Sequence, residues 1–269
     1  MGAILRLVAA AGIALAAHVP AVAGGPCDTD QLTPAAMEAG LRFAQRTHEA
    51  LEAAHGRDGT RVVLLARAGQ DLSRYGLHYS HLGIAYRTQL PQGQPAWRVL
   101  HKLNHCRSAT SAIYRQGLGE FFLDDLWRHE AAWVAPTREV QERLLALLAD
   151  DARAVRLHHA PYSMVSYAWS RKYQQSNQWA IETLAAAMEP RIDDRERAQA
   201  WLRLQGYTPT SLRLGPLTRL GGRATAANIA FDDHPDQQRF AGRIDTVTVD
   251  SVFAWTERSG LGVAPAVVR

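Results

Sequence analysis

Three segments in the first half of the chain, separated by turn residues, restrict the possible folds more than any other feature. Residues 61–69 are apolar and rich in β-branched side chains, residues 81–86 are mostly apolar, and residues 97–104 alternate large apolar with polar side chains. Prolines and a glycine within residues 91–95 mark a turn between the second and third segments. The sequence therefore predicts three strands, the last two as a hairpin, with His81 at the start of the middle strand.

Segments with helical periodicity flank these strands. Thr33 and Pro34 predict the start of a helix that ends at Gly56, and its buried face is expected to include Leu41. Another helix is expected to begin at Ser176 or Asn177, ahead of the apolar residues 179–188. Further helices are expected at residues 137–151, 194–204 and 251–258, short strands at 131–136 and 246–249, a polar turn at 231–235, and irregular structure at 214–228.

Periodicity alone supports a mixed α and β fold. No internal repeat and no clean linker interrupts the chain, so residues 27–269 are expected to form one domain, with residues 190–269 as a candidate C-terminal decoration. The formal net charge is +4, and the arginines are scattered rather than clustered. Nucleic-acid-binding proteins usually concentrate their basic residues, so we expect no nucleic-acid partner.

The N-terminus has the layout of a secretory signal peptide. Arg6 precedes an apolar segment at residues 7–19, and small residues follow at 21–24. Residues 1–23 are therefore expected to be removed, which predicts a periplasmic or secreted protein. The apolar segment is too short for a membrane span, and no longer apolar run follows it, so no transmembrane span is expected in the mature chain.

Cys27 and Cys106 are the two cysteines of the sequence. An even cysteine count in an exported chain favours a disulfide between them. The alternative is that Cys106, with His105 beside it, acts as a nucleophile.

His81 and Ser176 together suggest nucleophilic catalysis. A nucleophile at the start of a helix is favoured because the helix dipole and the free backbone N–H groups stabilise an anion there. An imidazole held on a strand suits a general base, and His101 or Asn104 on the next strand would hold that base. The alternative for His81 is a half-buried strand residue with a hydrogen-bond partner.

The order of these features resembles the circularly permuted branch of the papain-like NlpC-type peptidases and amidases. Residues 80–84, Ser-His-Leu-Gly-Ile, match the histidine motif, residues 98–101 lie where the orienting strand would be, and residues 176–182 lie where a helix that starts with cysteine would be. Ser176 stands in place of that cysteine, and a serine needs stronger base assistance than a thiol. The resemblance implies an α+β fold, with an antiparallel sheet packed against helices and a C-terminal extension, and a site that is either a serine version or inactive.

The chain also resembles an uncharacterised family of secreted bacterial proteins, a domain of unknown function. The resemblance extends over nearly the whole chain after residue 23, and the matching runs lie at residues 67–87, 117–125, 173–185 and 231–235. This resemblance implies that serine is the usual residue at position 176 in that family.

The first functional hypothesis is an exported hydrolase or transferase that acts on an amide or ester bond of an unidentified envelope substrate. Backbone N–H groups at the nucleophile, with the side chain of Gln175 or Asn177, would hold the oxyanion. Tyr79 and Tyr173 are expected to contact the substrate.

Two alternatives stay open. One is a catalytically inactive envelope protein that retains the fold and binds a ligand. The other is a metal-binding protein in which His81, His101 and an acid such as Asp71 or Asp233 hold the ion. No cofactor is expected under the first two hypotheses, and residues 232–234, Asp-Asp-His, are predicted to form a turn rather than a metal site.

Overall fold

A computed structural model describes residues 32–124 and 126–269 of the chain. The expected signal peptide and Cys27 lie outside the described residues, so the cleavage site and the Cys27–Cys106 disulfide stay predictions. None of the helices in the described part of the chain is long and apolar enough to cross a membrane.

The described residues form a strand-rich first half and a second half in which helices predominate. The helices are α1 (Pro34–Asp58), α2 (Leu118–Phe122), α3 (Arg138–Leu148), α4 (Asp151–Val155), α5 (Ser176–Met188), α6 (Arg195–Leu204), α7 (Pro216–Thr225), α8 (Asp236–Phe240) and α9 (Val249–Arg258). The strands are β1 (Val62–Arg67), β2 (His81–Gln89), β3 (Pro95–Asn104), β4 (Ser111–Gly117), β5 (Ala131–Val134), β6 (Thr210–Arg213), β7 (Arg243–Thr246) and β8 (Ala266–Val268). A short 3₁₀ turn covers Ser73–Tyr75.

Six of these strands form one antiparallel sheet in the order β4-β3-β2-β1-β5-β8. The predicted hairpin of β2 and β3 is confirmed, and His81 is the first residue of β2, opposite Arg67 of β1. Strand β4 was not expected because its polar residues, such as Arg115 and Gln116, hide the alternation that a half-buried strand normally shows. The sequence was therefore right about a mixed fold whose antiparallel sheet packs against helices.

Different helices cover the two faces of the sheet. On one face, Ala85 and Val99 pack against Phe43 of α1 and Phe121 of α2, and we call this the α1 face. On the other face, the α5 face, α5 and α3 pack against the next residues along each strand, including Leu82, Ile84 and Leu100. Because successive side chains of a strand point to opposite faces, the residues of β2 divide strictly between two separate cores.

Helix α1 begins as predicted, with the Thr33 side chain accepting a hydrogen bond from the backbone N–H of Ala36. It continues two residues beyond Gly56 and ends at Gly59, whose φ of 75° is easy for glycine. Leu41 was wrongly placed on the buried face and is 51% exposed. The buried face consists of Gly40, Phe43, Ala44, Thr47, Leu51 and Ala54.

The C-terminal quarter departs most from the expected elements. The segment expected to be irregular contains α7, which starts with Pro216 at its first position and which Gly221 and Gly222 concealed in the sequence. The strand expected at residues 246–249 lies earlier, at β7. Thr248, not Ser251, caps α9, although the two side chains bond each other's backbone N–H groups.

Strand β8 adds an edge to the main sheet, whereas β6 and β7 form a separate two-stranded ribbon. The candidate decoration, residues 190–269, therefore contributes to the main sheet as well as forming its own ribbon. An isolated bridge between Tyr167 and Thr246 joins the ribbon to the loop that precedes α5. The ribbon thus lies beside the start of α5.

Candidate functional site

His81 and His101 are brought together, as the sequence suggested for a base and its orienting residue. Their rings share a hydrogen bond of 2.9 Å between Nε2 of His81 and Nδ1 of His101. The Nε2 group of His101 lies 2.8 Å from the Oε1 atom of Gln116, an acceptor, so His101 donates from Nε2 and accepts at Nδ1. His81 is therefore the donor to His101. Asn104, the alternative orienting residue, instead donates to the carbonyl oxygen of His105.

The surroundings of this pair make His81 a weak base. The ring of His81 packs against Phe121 of α2, and the guanidinium of Arg67 lies over the same phenylalanine ring, 4.8 Å from its centroid. Burial, the nearby charge of Arg67 and His101 lower the pKa of His81 well below its ordinary value. Burial and Arg67 likewise lower the pKa of His101 to about 3. Both rings are neutral near pH 7, as expected for buried strand residues with hydrogen-bond partners.

Ser176 lies on the other side of the sheet. It is the first residue of α5, which packs on the α5 face, whereas His81 packs against α2 on the α1 face. Burial raises the pKa of Tyr162, and Ser176 opposes that shift, so the two residues are neighbours. The side-chain alternation of β2 directs the imidazole away from α5, so the structure lends no support to the pairing of a His81 base with a Ser176 nucleophile, which stays a prediction.

This separation predicts that His81 and Ser176 contribute to stability independently. The ΔΔG values of unfolding for His81→Ala and Ser176→Ala should add to within about 0.5 kcal/mol in the double variant, because the two residues share no partner. Urea unfolding of the three variants measures the sum. His81→Ala with His101→Ala is the matched control, since those rings share a hydrogen bond and should be coupled. Coupling between His81 and Ser176 as large as in that control would contradict the separation.

The residues expected to contact a substrate fall into two groups. Tyr79, Gln175 and Asn177 line one pocket at the start of α5, together with Ser176. Tyr173 is not among its lining residues, and its ring instead lies beneath the ammonium group of Lys172. Three of the four residues thus share a site, although not the site that contains His81.

The pocket has a cavity volume of about 230 Å³ and is open to solvent at its mouth. Apolar side chains from separate parts of the chain form most of its wall: Leu72, Tyr75, Leu77, Met164, Val165, Leu212, Leu214, Ile229, Phe231, Ile244 and Val247. The inner side of α7 closes one side through Thr218 and Gly222. A concave, largely apolar wall with a few polar groups at one end is typical of sites for small molecules.

Polar groups gather where the pocket meets α5. Gln175 caps the helix through its Oε1 atom, which accepts from the backbone N–H of Asn177 at 3.1 Å, and its Nε2 group donates to Thr246 and to the carbonyl oxygen of Val247. Asn177 is 5% exposed, and its Oδ1 atom has no hydrogen-bond partner among residues 32–124 and 126–269. A buried acceptor without a partner costs about 1–3 kcal/mol, which a bound donor would recover.

A buried polar network holds α5 in place beside the pocket. Glu182, fully buried, accepts hydrogen bonds from Arg195 at 2.8 Å, from Gln174 at 2.6 Å and from Gln199 at 2.8 Å. Gln174 in turn accepts from the ammonium group of Lys102 on β3 at 2.7 Å. Burial and the charge of Arg195, opposed by Glu182, lower the pKa of Lys102 to about 6. The network therefore links β3, α5 and α6.

The metal hypothesis finds no support in the described part of the chain, where no three His, Cys, Asp or Glu side chains converge on a common point. Asp233 accepts from the backbone N–H of Tyr167 and pairs with His234 next to it, 3.0 Å away. Asp71 bonds the backbone N–H of Ser73. The predicted turn at residues 232–234 is confirmed, and neither acid contacts the histidine pair.

Comparison with known proteins identifies the family of the chain. A family model described as an uncharacterized protein conserved in bacteria, DUF2145, matches residues 54–256. The chain belongs to the DUF2145 family. The resemblance to an uncharacterised bacterial family is thereby confirmed. No curated protein and no solved structure matches the chain. The DUF2145 match includes the histidine pair and every residue that lines the pocket.

The sequence did not predict the apolar wall of the pocket. Its residues come from the loops before β2 and α5, from the β6–β7 ribbon and from α7, and they are separated by more than a hundred positions. The one local signal was the polar run 173–178, which the sequence did assign to a site.

Proposed function

We propose that this DUF2145 protein binds a small amphiphilic molecule in the pocket at the start of α5. The observation that carries the proposal is the largely apolar pocket whose polar end is formed by Gln175, Ser176 and Asn177 at the start of α5. Such a wall favours a hydrocarbon or ring system, since each buried CH₂ group contributes about 0.8 kcal/mol. The proposed activity corresponds to the catalytically inactive binding protein considered from the sequence, and the pocket supplies its binding site.

The polar groups indicate the head of that ligand. The unpartnered Oδ1 atom of Asn177 requires an N–H or O–H donor. The positive end of the α5 dipole, where Ser176 is the first residue, favours an oxygen acceptor in the same head group. A hydroxyl, an amide or a protonated carboxylic acid offers both. We infer that the ligand carries one such group on an apolar body.

The proposal also includes export of the protein to the cell envelope and a papain-like scaffold. The signal-peptide layout of residues 1–23 supports export, and hence a ligand in the bacterial cell envelope. The order of a histidine strand, a neighbouring strand with a polar partner and a later helix supports a papain-like scaffold of the permuted NlpC type. The opposite orientation of His81 and Ser176 favours binding over hydrolysis by a Ser–His pair.

Filling the pocket should abolish binding. Thr218 is exposed at the surface end of the pocket, so Thr218→Trp is expected to block it without disturbing the core. A dansyl-labelled fatty acid, displaced by unlabelled fatty alcohols and amides, reports occupancy by fluorescence. We expect the dissociation constant of the labelled probe to rise at least about tenfold in the variant, because the indole would occupy space that the probe needs. A tenfold rise corresponds to a loss of about 1.4 kcal/mol of binding free energy.

Ala224→Trp is the matched control, since Ala224 is exposed on the same helix and does not line the pocket. The control variant should bind the probe as the wild type does. Equal binding by the two tryptophan variants, or no binding by the wild type to any of these amphiphiles, would contradict the proposed function.

A further inference from the structure

Helix α7 presents its apolar residues to solvent instead of to the core. Leu217 and Leu220, three positions apart on one side of the helix, are 83% and 67% exposed. The opposite side, with Thr218 and Gly222, lines the pocket. None of the side chains described in α7 is buried. An amphipathic helix normally faces its core with its apolar side, so this orientation leaves an apolar face without a partner.

Phe240 of α8 extends this face. Its side chain is 85% exposed, and α8 is tied to α7 by a hydrogen bond from Arg219 to the carbonyl oxygen of Arg239. Both helices adjoin the same end of the β6–β7 ribbon, where the backbone N–H of Leu214 donates to the carbonyl oxygen of Gly242. We call the exposed surface of Leu217, Leu220 and Phe240 the α7 face.

Basic residues outnumber acidic ones beside the α7 face, where Asp236 of α8 is paired with Arg239. Residues 197–231 contain five arginines and no acidic residue. Arg213 and Arg243 lie directly opposite each other at the end of the ribbon and are both exposed, as is Arg223 on α7. Like charges opposite each other in a sheet repel, and an anionic surface would relieve that repulsion.

We propose that the α7 face docks on an anionic lipid bilayer. Apolar side chains that project from a short amphipathic helix and are flanked by arginines fit the boundary between head groups and acyl chains. A second copy of the chain is a poorer occupant, because a symmetric interface would bring Arg213, Arg223 and Arg243 against one another. The docked face lies on the other side of α7 from the pocket, so the two sites share one helix.

Vesicle sedimentation tests this docking without any pocket ligand, so its outcome is independent of the proposed function. The full chain, mixed with vesicles of phosphatidylglycerol and phosphatidylcholine, should sediment with them, and vesicles of phosphatidylcholine alone should retain at least about tenfold less protein. The variant Leu217→Glu with Leu220→Glu should lose binding to the anionic vesicles by at least about tenfold, because it removes apolar contact and adds negative charge.

Leu41→Glu with Met37→Glu is the matched control, since both residues are exposed on α1, which covers the opposite face of the sheet. Circular dichroism establishes that each variant folds. Equal sedimentation of the α7 variant and the control, or no sedimentation of the wild type, would overturn the proposal. So would a concentration-dependent dimer, seen by light scattering, that the α7 variant abolishes.

Discussion

Replacing Glu182 with alanine is expected to lower the free energy of unfolding by about 3–5 kcal/mol. Glu182 is fully buried and pairs with Arg195, which is only 8% exposed. The substitution would leave the guanidinium without its carboxylate and would also remove the acceptor of Gln174 and Gln199. Breaking a buried ion pair from one side is costly because the remaining charge stays desolvated.

Glu196→Ala is the matched control for this loss. Glu196 pairs with Arg171 on the surface, where both side chains are more than 60% exposed, and a surface pair contributes at most about 1 kcal/mol. Thermal unfolding should lower Tm by roughly 10 °C for Glu182→Ala and by far less for Glu196→Ala. Similar Tm values for the two variants would mean that the network does not hold α5 in place.

Asn177→Leu is expected to weaken binding of the dansyl-labelled fatty acid by at least about tenfold while leaving the stability of the free protein nearly unchanged. The substitution removes the Oδ1 atom that has no partner among the described residues and one long hydrogen bond, 3.4 Å, to the carbonyl oxygen of Val247. The loss of that bond and the relief of the unpaired acceptor nearly cancel. A ligand donor, however, would face leucine and remain unpaired.

Gln178→Leu supplies the contrast, because Gln178 is the next residue of α5 and its amide is fully used. It accepts from Ser166 at 2.9 Å and donates to the carbonyl oxygen of Ala168 at 3.1 Å, and it does not line the pocket. Its loss should reduce stability, measured by urea unfolding. If Asn177→Leu destabilises the protein as much as Gln178→Leu and still binds the probe, Asn177 is a structural residue and not the head-group contact.

Local patterns in the sequence were sufficient for the strands at the centre of the sheet. The apolar segments that became β1, β2 and β3, the turn between the last two and the helix start at Ser176 all appear where they were expected. Such features depend on residues a few positions apart, through alternation, turn chemistry and capping. The same rules missed α7, because its exposed leucines and paired glycines are atypical of a helix packed on a core.

The sequence by itself determined that His81 begins a strand, that His101 lies on the next one and that Ser176 begins a helix. Only the tertiary structure decided that the imidazole points to the α1 face while the hydroxyl lies with α5 on the opposite face. A single step along a strand reverses the direction of a side chain, and nothing local fixes which face receives a given helix. For the same reason the pocket, built from side chains more than a hundred residues apart, became visible only once the chain had folded.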